Sequence, residues 1–342
     1  MSFSFFKPSR PKTVQEVVKS IKDSLIALDI KTVVEVKTLE KALEEVEKNL
    51  VTVRCMLSGD GEVEPNIEQV SQLVIEICKE DCLPLLVHKL PNLWWTTRKD
   101  LVHCWTALLK HKVDSKHIWV EYIEQHRELL DFLVVCYDNK EIALHCGLML
   151  RECIKFPSLA KFILESPSFV LFFKFVELPN FDVASDAFST FKDLLTKHDT
   201  LVAEYLACHY DEFFDLYEKL LISENYVTRR QSLKLLAEFL LESPNAYIMK
   251  RYILEVRYLK VMMTLLQDSR KSIQISCFHI FKVFVANPNK SQEIKMILSK
   301  NHDKLVHLLQ NISLGKGCDD EQLEEEKELI IEEIQSLASF HD

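Results

Sequence analysis

The chain has 342 residues, 48% of them hydrophobic and 27% charged, with a formal net charge of −10. That apolar content excludes wholesale disorder, and the acidic balance argues against a general nucleic-acid binder. Only five glycines are present, where an average usage of about 7% would give roughly two dozen, so a fold rich in tight phosphate-cradling turns is excluded as well.

The opening Met1-Ser-Phe-Ser-Phe-Phe-Lys-Pro-Ser-Arg10 is too short in its apolar part for a signal peptide, and no run approaches the about 18 apolar residues of a membrane helix. Serine at position 2 leaves no myristoylation site. These features predict an address in the cytosol, or in cytosol and nucleus both. In that compartment the ten cysteines are reduced thiols packing as small hydrophobes.

Val14 to Leu28 and Thr38 to Leu57 read as two amphipathic helices, the second with Leu39, Leu43, Val46 and Leu50 on its buried stripe. After the loop Ser58-Gly-Asp-Gly-Glu-Val-Glu-Pro65, the helical period resumes over Ile67 to Cys78. Residues 1–97 are read as an atypical N-terminal cap.

From Arg98 onward the chain repeats itself. Segments opening at Arg98, Glu141, Asp182, Tyr226 and Lys271 are spaced by 43, 41, 44 and 45 residues, in the range of armadillo and HEAT repeats rather than the shorter ankyrin and tetratricopeptide units. Placing Leu101, Ile142, Val183, Val227 and Ile273 in register puts Leu109, Leu150, Phe191, Leu235 and Phe281 eight positions on, and Val113, Ile154, Leu195, Phe239 and Val285 twelve positions on. At 3.6 residues per turn these lie on one slowly drifting face, so each segment opens with a buried helix. Further short helices follow, such as Leu201 to Cys208 and Asp211 to Leu221, or Ala246 to Ile253 and Leu259 to Leu266. Pro157, Pro167, Pro179, Pro244 and Pro288 fall between apolar runs, and Ser223-Glu-Asn and Asn287-Pro-Asn supply caps or turns. The expected fold is all-α: a curved right-handed solenoid of armadillo/HEAT-like three-helix repeats forming one domain, regular over 98–314, with no sheet. An acidic capping helix, Asp319 to Leu337, closes it within 315–342, behind the break Gly315-Lys-Gly.

No phosphate-loop or dinucleotide glycine signature, kinase catalytic loop or GxSxG elbow exists, so no catalytic role or cofactor is expected. Cys78 and Cys82 with His88 lack the paired second half of a zinc site, and Gly59-Asp-Gly-Glu is only a fragment of a calcium loop; no metal is expected. The aromatic residues, Trp94, Trp95, Trp105 and Trp119 among them, are read as core rather than as a base-stacking platform.

Charge is unevenly spread. Tyr226 to Lys300 holds 13 Lys/Arg against 5 Asp/Glu, a local +8 that leaves −18 for the remainder. Solvated helix faces explain such a patch, and so does an acidic partner. Within the repeats one helical position stays polar: His103 or Cys104, then His145, Asp186, Arg230 and Ser276. Arg230 shares a helix face with Lys234 one turn on, beside apolar Val227 and Leu235, with Met262 and Met263 in a following helix of the same unit. Arg230, Lys234, Met263 and Met262 are therefore the candidate pocket for a partner peptide carrying aromatic residues and a carboxylate.

Met149-Leu-Arg-Glu-Cys-Ile154, Phe181-Asp-Val-Ala-Ser-Asp-Ala-Phe188 with Phe191-Lys-Asp-Leu-Leu195, Ser223-Glu-Asn-Tyr-Val-Thr-Arg-Arg-Gln-Ser-Leu-Lys-Leu-Leu236 and Phe281-Lys-Val-Phe-Val-Ala-Asn-Pro-Asn-Lys290 resemble the calcium-binding protein 39 family. The resemblance spans nearly the whole chain and is densest from Glu141 to Lys290. It implies an armadillo-like rod that binds and activates protein kinases, holding STRAD-type pseudokinases or germinal-centre kinases in their active form against its concave face. It also implies a pocket toward the C-terminal half for a Trp-Glu-Phe-type tail, onto which Arg230, Lys234 and Met263 fall. Two stretches depart from the family's pattern. Glu242-Ser-Pro-Asn-Ala-Tyr247 lacks a basic and aromatic pair present on the kinase-contacting face of the animal proteins, and Trp94-Trp-Thr-Thr-Arg98 is unlike familiar members. The other reading is an armadillo-like adaptor for non-kinase acidic cargo. Neither reading calls for nucleic acid, a membrane or a small-molecule substrate.

Overall fold

The computed structural model describes residues 12–28, 36–59, 64–312 and 320–339. Its first helices are α1 (Val14–Ala27), α2 (Val36–Ser58), α3 (Ile67–Lys79) and α4 (Cys82–Lys89). Next come α5 (Trp95–Lys110), α6 (Ile118–Gln125), α7 (Glu128–Val135), α8 (Ala143–Ile154), α9 (Pro157–Glu165) and α10 (Phe172–Phe175). They are followed by α11 (Phe181–Thr196), α12 (Asp199–Cys208), α13 (Tyr210–Leu221), α14 (Tyr226–Leu240), α15 (Ala246–Tyr252) and α16 (Val256–Leu265). The last are α17 (Lys271–Ala286), α18 (Gln292–Lys300), α19 (His302–Asn311) and α20 (Asp320–Ser339). Among the described residues there is no strand, only an isolated bridge between Val113 and Lys116.

The chain divides into two compact units, Met1–Asp193 and Leu194–Asp342. In the first, the long opening helices pack side by side, α2 on α5 and α5 on α8. In the second, α14 packs on α17 and α17 on α20. Shorter helices pack against the long ones, α1 on α2, α7 on α8, α13 on α14 and α16 on α17.

Local chemistry sets the boundaries. Thr13 and Glu16 form a reciprocal capping box at α1, with Thr13 N donating to Glu16 Oε2 at 2.8 Å and Glu16 N to Thr13 Oγ1 at 3.3 Å. The Asn225 side chain accepts from Val227 N at 2.9 Å to start α14, and Ser291 Oγ accepts from Ile294 N at 3.3 Å to start α18. Pro157 occupies the first position of α9, where its missing N–H leaves no helical bond unmade.

Burial corrects the sequence register in three places. In α11 and α17 the buried set runs Val183, Ala187, Phe191, Leu195 and Ile273, Cys277, Phe281, Val285. In α14 the same pattern falls on Thr228, Ser232, Leu236 and Leu240, while Val227 is 41% exposed. The helix is turned by one residue from the expected register because two polar side chains occupy core positions. In α5 the pattern is offset by one helical turn: Leu101 matches Cys146 rather than Ile142. Val113 accordingly lies beyond the end of α5, half-buried in the bridge turn. The stripe of α2 begins at Ala42 and Leu43, with Leu39 exposed. At the C-terminal end, Leu323, Ile330 and Ile334 of α20 are buried and Leu329 faces water.

The N-terminal loop at 60–63, the break at 315–317, Cys318 and the first ten residues lie outside the described residues.

Candidate functional site

Helix α14 presents adjacent arginines with opposite fates. Arg229 turns inward, only 16% exposed, and donates from Nη1 to Ser223 O at 2.8 Å and from Nη2 to Asp268 Oδ2 at 3.2 Å. It ties the start of α14 to the turn between α16 and α17. Arg230 turns outward, as does Lys234 one turn later. Neither makes a hydrogen bond or ion pair among the described residues. Val227, on the same exposed side, adds apolar surface three residues before Arg230.

Met263 is half-exposed on α16, which packs, like α14, against α17. Met262 is fully buried: Cys277 Sγ donates to its carbonyl at 3.1 Å and lies 3.7 Å from its sulfur. An enclosed side chain cannot touch a ligand, so Met262 shapes the support for α16 rather than any pocket wall.

Elsewhere in the basic segment the cations sort into two classes. Arg251 pairs with Asp211, Arg257 with Asp215 and Glu255, Lys282 with Glu326 and Lys290 with Glu333. Lys250, Lys260 and Lys300 are exposed and, like Arg230 and Lys234, unpaired among the described residues. The local positive charge is thus partly structural and partly free. Neutralising a free surface cation releases little, since exposed ion pairs contribute about 0–1 kcal/mol; a partner must add desolvation and apolar contact to gain affinity.

The polar register position leads to different chemistry in the first unit. Asp186 of α11 accepts from Arg151 Nη2 at 2.7 Å and from Tyr137 OH at 2.8 Å, and Arg151 Nη1 donates to Thr190 Oγ1 at 2.8 Å. This is a half-buried network joining α8, α11 and the turn after α7. The corrected register places Gln231, not Arg230, at the equivalent point of α14. His145 is half-buried, its imidazolium disfavoured by burial and then by Arg98 and Lys99, so its pKa lies below the ordinary 6.5.

Trp105 and Trp119 are fully buried with rings crossing edge to face at 6.0 Å. Trp94 and Trp95, by contrast, are 38% and 58% exposed, and the Lys99 ammonium sits 3.5 Å from the Trp95 ring centre. The core expectation fails for that pair because they occupy the N-cap and first turn of α5, ahead of its buried stripe. Of the suspected metal cluster, burial pushes the Cys78 thiol up to about 12 and the Cys82 thiol up to about 11. His88 packs its ring against Phe132 at 4.7 Å. Burial thus favours the protonated thiol at both positions.

Residues 4–338 match the Mo25-like family. The chain is 45% identical to human Calcium-binding protein 39-like over 326 residues, covering 95% of each chain. It is 43% identical to the Mo25-like protein of Schizosaccharomyces pombe over 337 residues, covering 98% of this chain and all of that one. It is 44% identical to MO25-like protein 2 of Caenorhabditis elegans over 327 residues, covering 95% and 96%. Among the described residues no three His, Cys, Asp or Glu side chains come together as a metal site. Sequence strings, three-helix units and full-length similarity converge, and the chain belongs to the Mo25-like family.

Proposed function

We propose that this protein is a non-catalytic scaffold that activates protein kinases allosterically. Binding the closed, active arrangement of a kinase or pseudokinase of the STRAD or germinal-centre type more tightly than the open one shifts the kinase toward activity, by no more than the difference in those affinities. In this reading the long opening helices offer the kinase-facing surface. A site on the C-terminal half takes a Trp-Glu-Phe-like tail, with Arg230 and Lys234 meeting its carboxylate and Met263 packing against its rings.

The observation that carries the reading is the pair Arg230 and Lys234: exposed, one turn apart, without a partner among the described residues, and flanked by exposed Val227. A cationic pair that the fold does not use for itself is available to a ligand, whereas neighbouring Arg229 is not. The test is a pull-down of a kinase bearing a C-terminal Trp-Glu-Phe tail with wild-type protein and with Arg230→Ala/Met263→Ala. Capture should fall at least tenfold in the double variant; undiminished capture removes the pocket assignment. Capture without any change in kinase activity on adding the protein replaces activation by the adaptor reading, in which the same cations hold acidic cargo.

A further inference from the structure

A second opening lies away from Arg230, at the far end of α17. Between α15 and the last turn of α17 is a groove of about 430 Å³, within the size range of small-ligand and side-chain pockets. Met249 of α15 and Ile253 just after it form one wall, Val283 and Ala286 of α17 the other. Beneath them, Tyr252 and Phe284 are fully buried with ring centres 5.9 Å apart, and Tyr252 stacks on Tyr258 at 4.1 Å. The aromatic packing joins α15 to α17, and walls that are already packed lower the ordering cost for a ligand that enters.

The rim has few polar groups. The last carbonyls of α17 are answered from within: Lys290 Nζ donates to Val285 O at 2.6 Å and to Asn287 O at 2.9 Å. The Asn287 Oδ1 accepts from Asn289 N at 2.9 Å, so what remains for an incoming group is the Asn287 Nδ2, the Asn289 side-chain amide and the ammonium of Lys250, which is exposed and unpaired among the described residues. Carboxylates outside this segment, Asp211, Asp215, Glu326 and Glu333, answer Arg251, Arg257, Lys282 and Lys290, which leaves Lys250 as the cation at the groove. Charge complementarity therefore selects an acidic occupant, the apolar walls select a large aliphatic or aromatic side chain, and amides at the rim suit peptide backbone. A single ammonium is too little for a polyphosphate backbone, which is held through many cations.

We propose that this groove is a second peptide-docking site, separate from the Arg230 face, which takes a segment of a protein partner bearing a bulky apolar residue next to a carboxylate. The proposal does not depend on the tail-peptide reading and survives its failure.

The experiment is fluorescence polarisation on the full chain with an array of labelled ten-residue peptides in which Leu, Phe or Trp stands beside Glu or Asp. Every chain tested carries Arg230→Ala/Met263→Ala, which removes the other face, and the variants added to it are Lys250→Glu and Val283→Arg. Saturable binding is expected for members of the array. Lys250→Glu and Val283→Arg should each weaken it at least tenfold, as should changing the peptide's acid to lysine or its apolar residue to serine. Lys250 is exposed, so its variant decides the matter even if Val283→Arg disturbs folding. Absence of saturable binding, indifference to Lys250→Glu, or equal binding of the lysine-substituted peptides overturns the proposal. Binding by the wild-type chain that is missing from the Arg230→Ala/Met263→Ala chain belongs to the other face and overturns it too.

Discussion

Asp268 Oδ2 accepts from Arg229 Nη2 at 3.2 Å, joining the first turn of α14 to the turn that precedes α17. Both side chains are mostly withdrawn from water, at 16% and 14% exposure, so this pair is screened less than the surface pairs around it. Arg229→Ala should destabilise the protein by about 1–2 kcal/mol, because it removes charge-assisted bonds to Asp268 and to Ser223 O. A double-mutant cycle with Asp268→Asn, read by urea denaturation, should show coupling of about 1 kcal/mol. Arg230→Ala, one residue away, should leave the midpoint unchanged, which separates the framework arginine from the proposed binding one.

Gly147 has a packing reason. A Cβ there would overlap Asp186 Oδ2 and Tyr137 OH. The carboxylate cannot swing aside cheaply, since Arg151 and Tyr137 both hold it. Gly147→Ala should therefore destabilise by about 2 kcal/mol despite the better helix propensity of alanine, measured as a lower urea midpoint at unchanged slope.

Lys290 keeps only 4% of its side chain exposed and bridges Val285 O, Asn287 O and, at 2.8 Å, Glu333 of α20. Lys290→Met should cost about 2–3 kcal/mol, because two carbonyls lose their donor. Glu333→Gln, whose side chain is 43% exposed, should cost less than about 1 kcal/mol. Amide hydrogen exchange should quicken across α20 in the first variant before it does elsewhere.

Acid sensitivity follows from three histidines. Burial lowers the pKa of His111, His145 and His279 below their ordinary 6.5. For each, the unfolded chain takes up its proton first, so stability is complete above the unfolded pKa and declines as pH falls through it toward the lower folded value. Thermal midpoints should drop from pH 7 to pH 5, and His145→Gln should flatten that slope. Glu80, held below its ordinary 4.5 by its hydrogen bond to Lys22, acts only at more acid pH and does not confound the window.

The long helices and their spacing could be read from the chain because a misalignment by one helical turn leaves the apolar face intact; that is why α5 was found in spite of a register displaced by four. The one-residue error at α14 had a different origin. Thr228 and Ser232 stand where other units place Val183, Ala187, Ile273 and Cys277, and a polar residue in a core position defeats a search for apolar periodicity. No spacing rule distinguishes Arg229 from Arg230, since the partner that claims Arg229 is 39 residues away in sequence. The groove beside α17 was unreadable for the same reason: its walls come from positions 249 to 289, brought together by tertiary packing that includes Tyr252 against Phe284.

The unequal enclosure of the lysines gives the protein a built-in ruler for chemical footprinting. Lys290 and Lys327 are sealed at 4% and 5% side-chain exposure, out of reach of an amine-acylating reagent while the fold holds. Lys234 and Lys250 stand open. In a brief acylation followed by mass spectrometry, the sealed pair reports whether the protein stayed folded. Protection at Lys234 or at Lys250 then reports separately which of the two faces a bound partner covers.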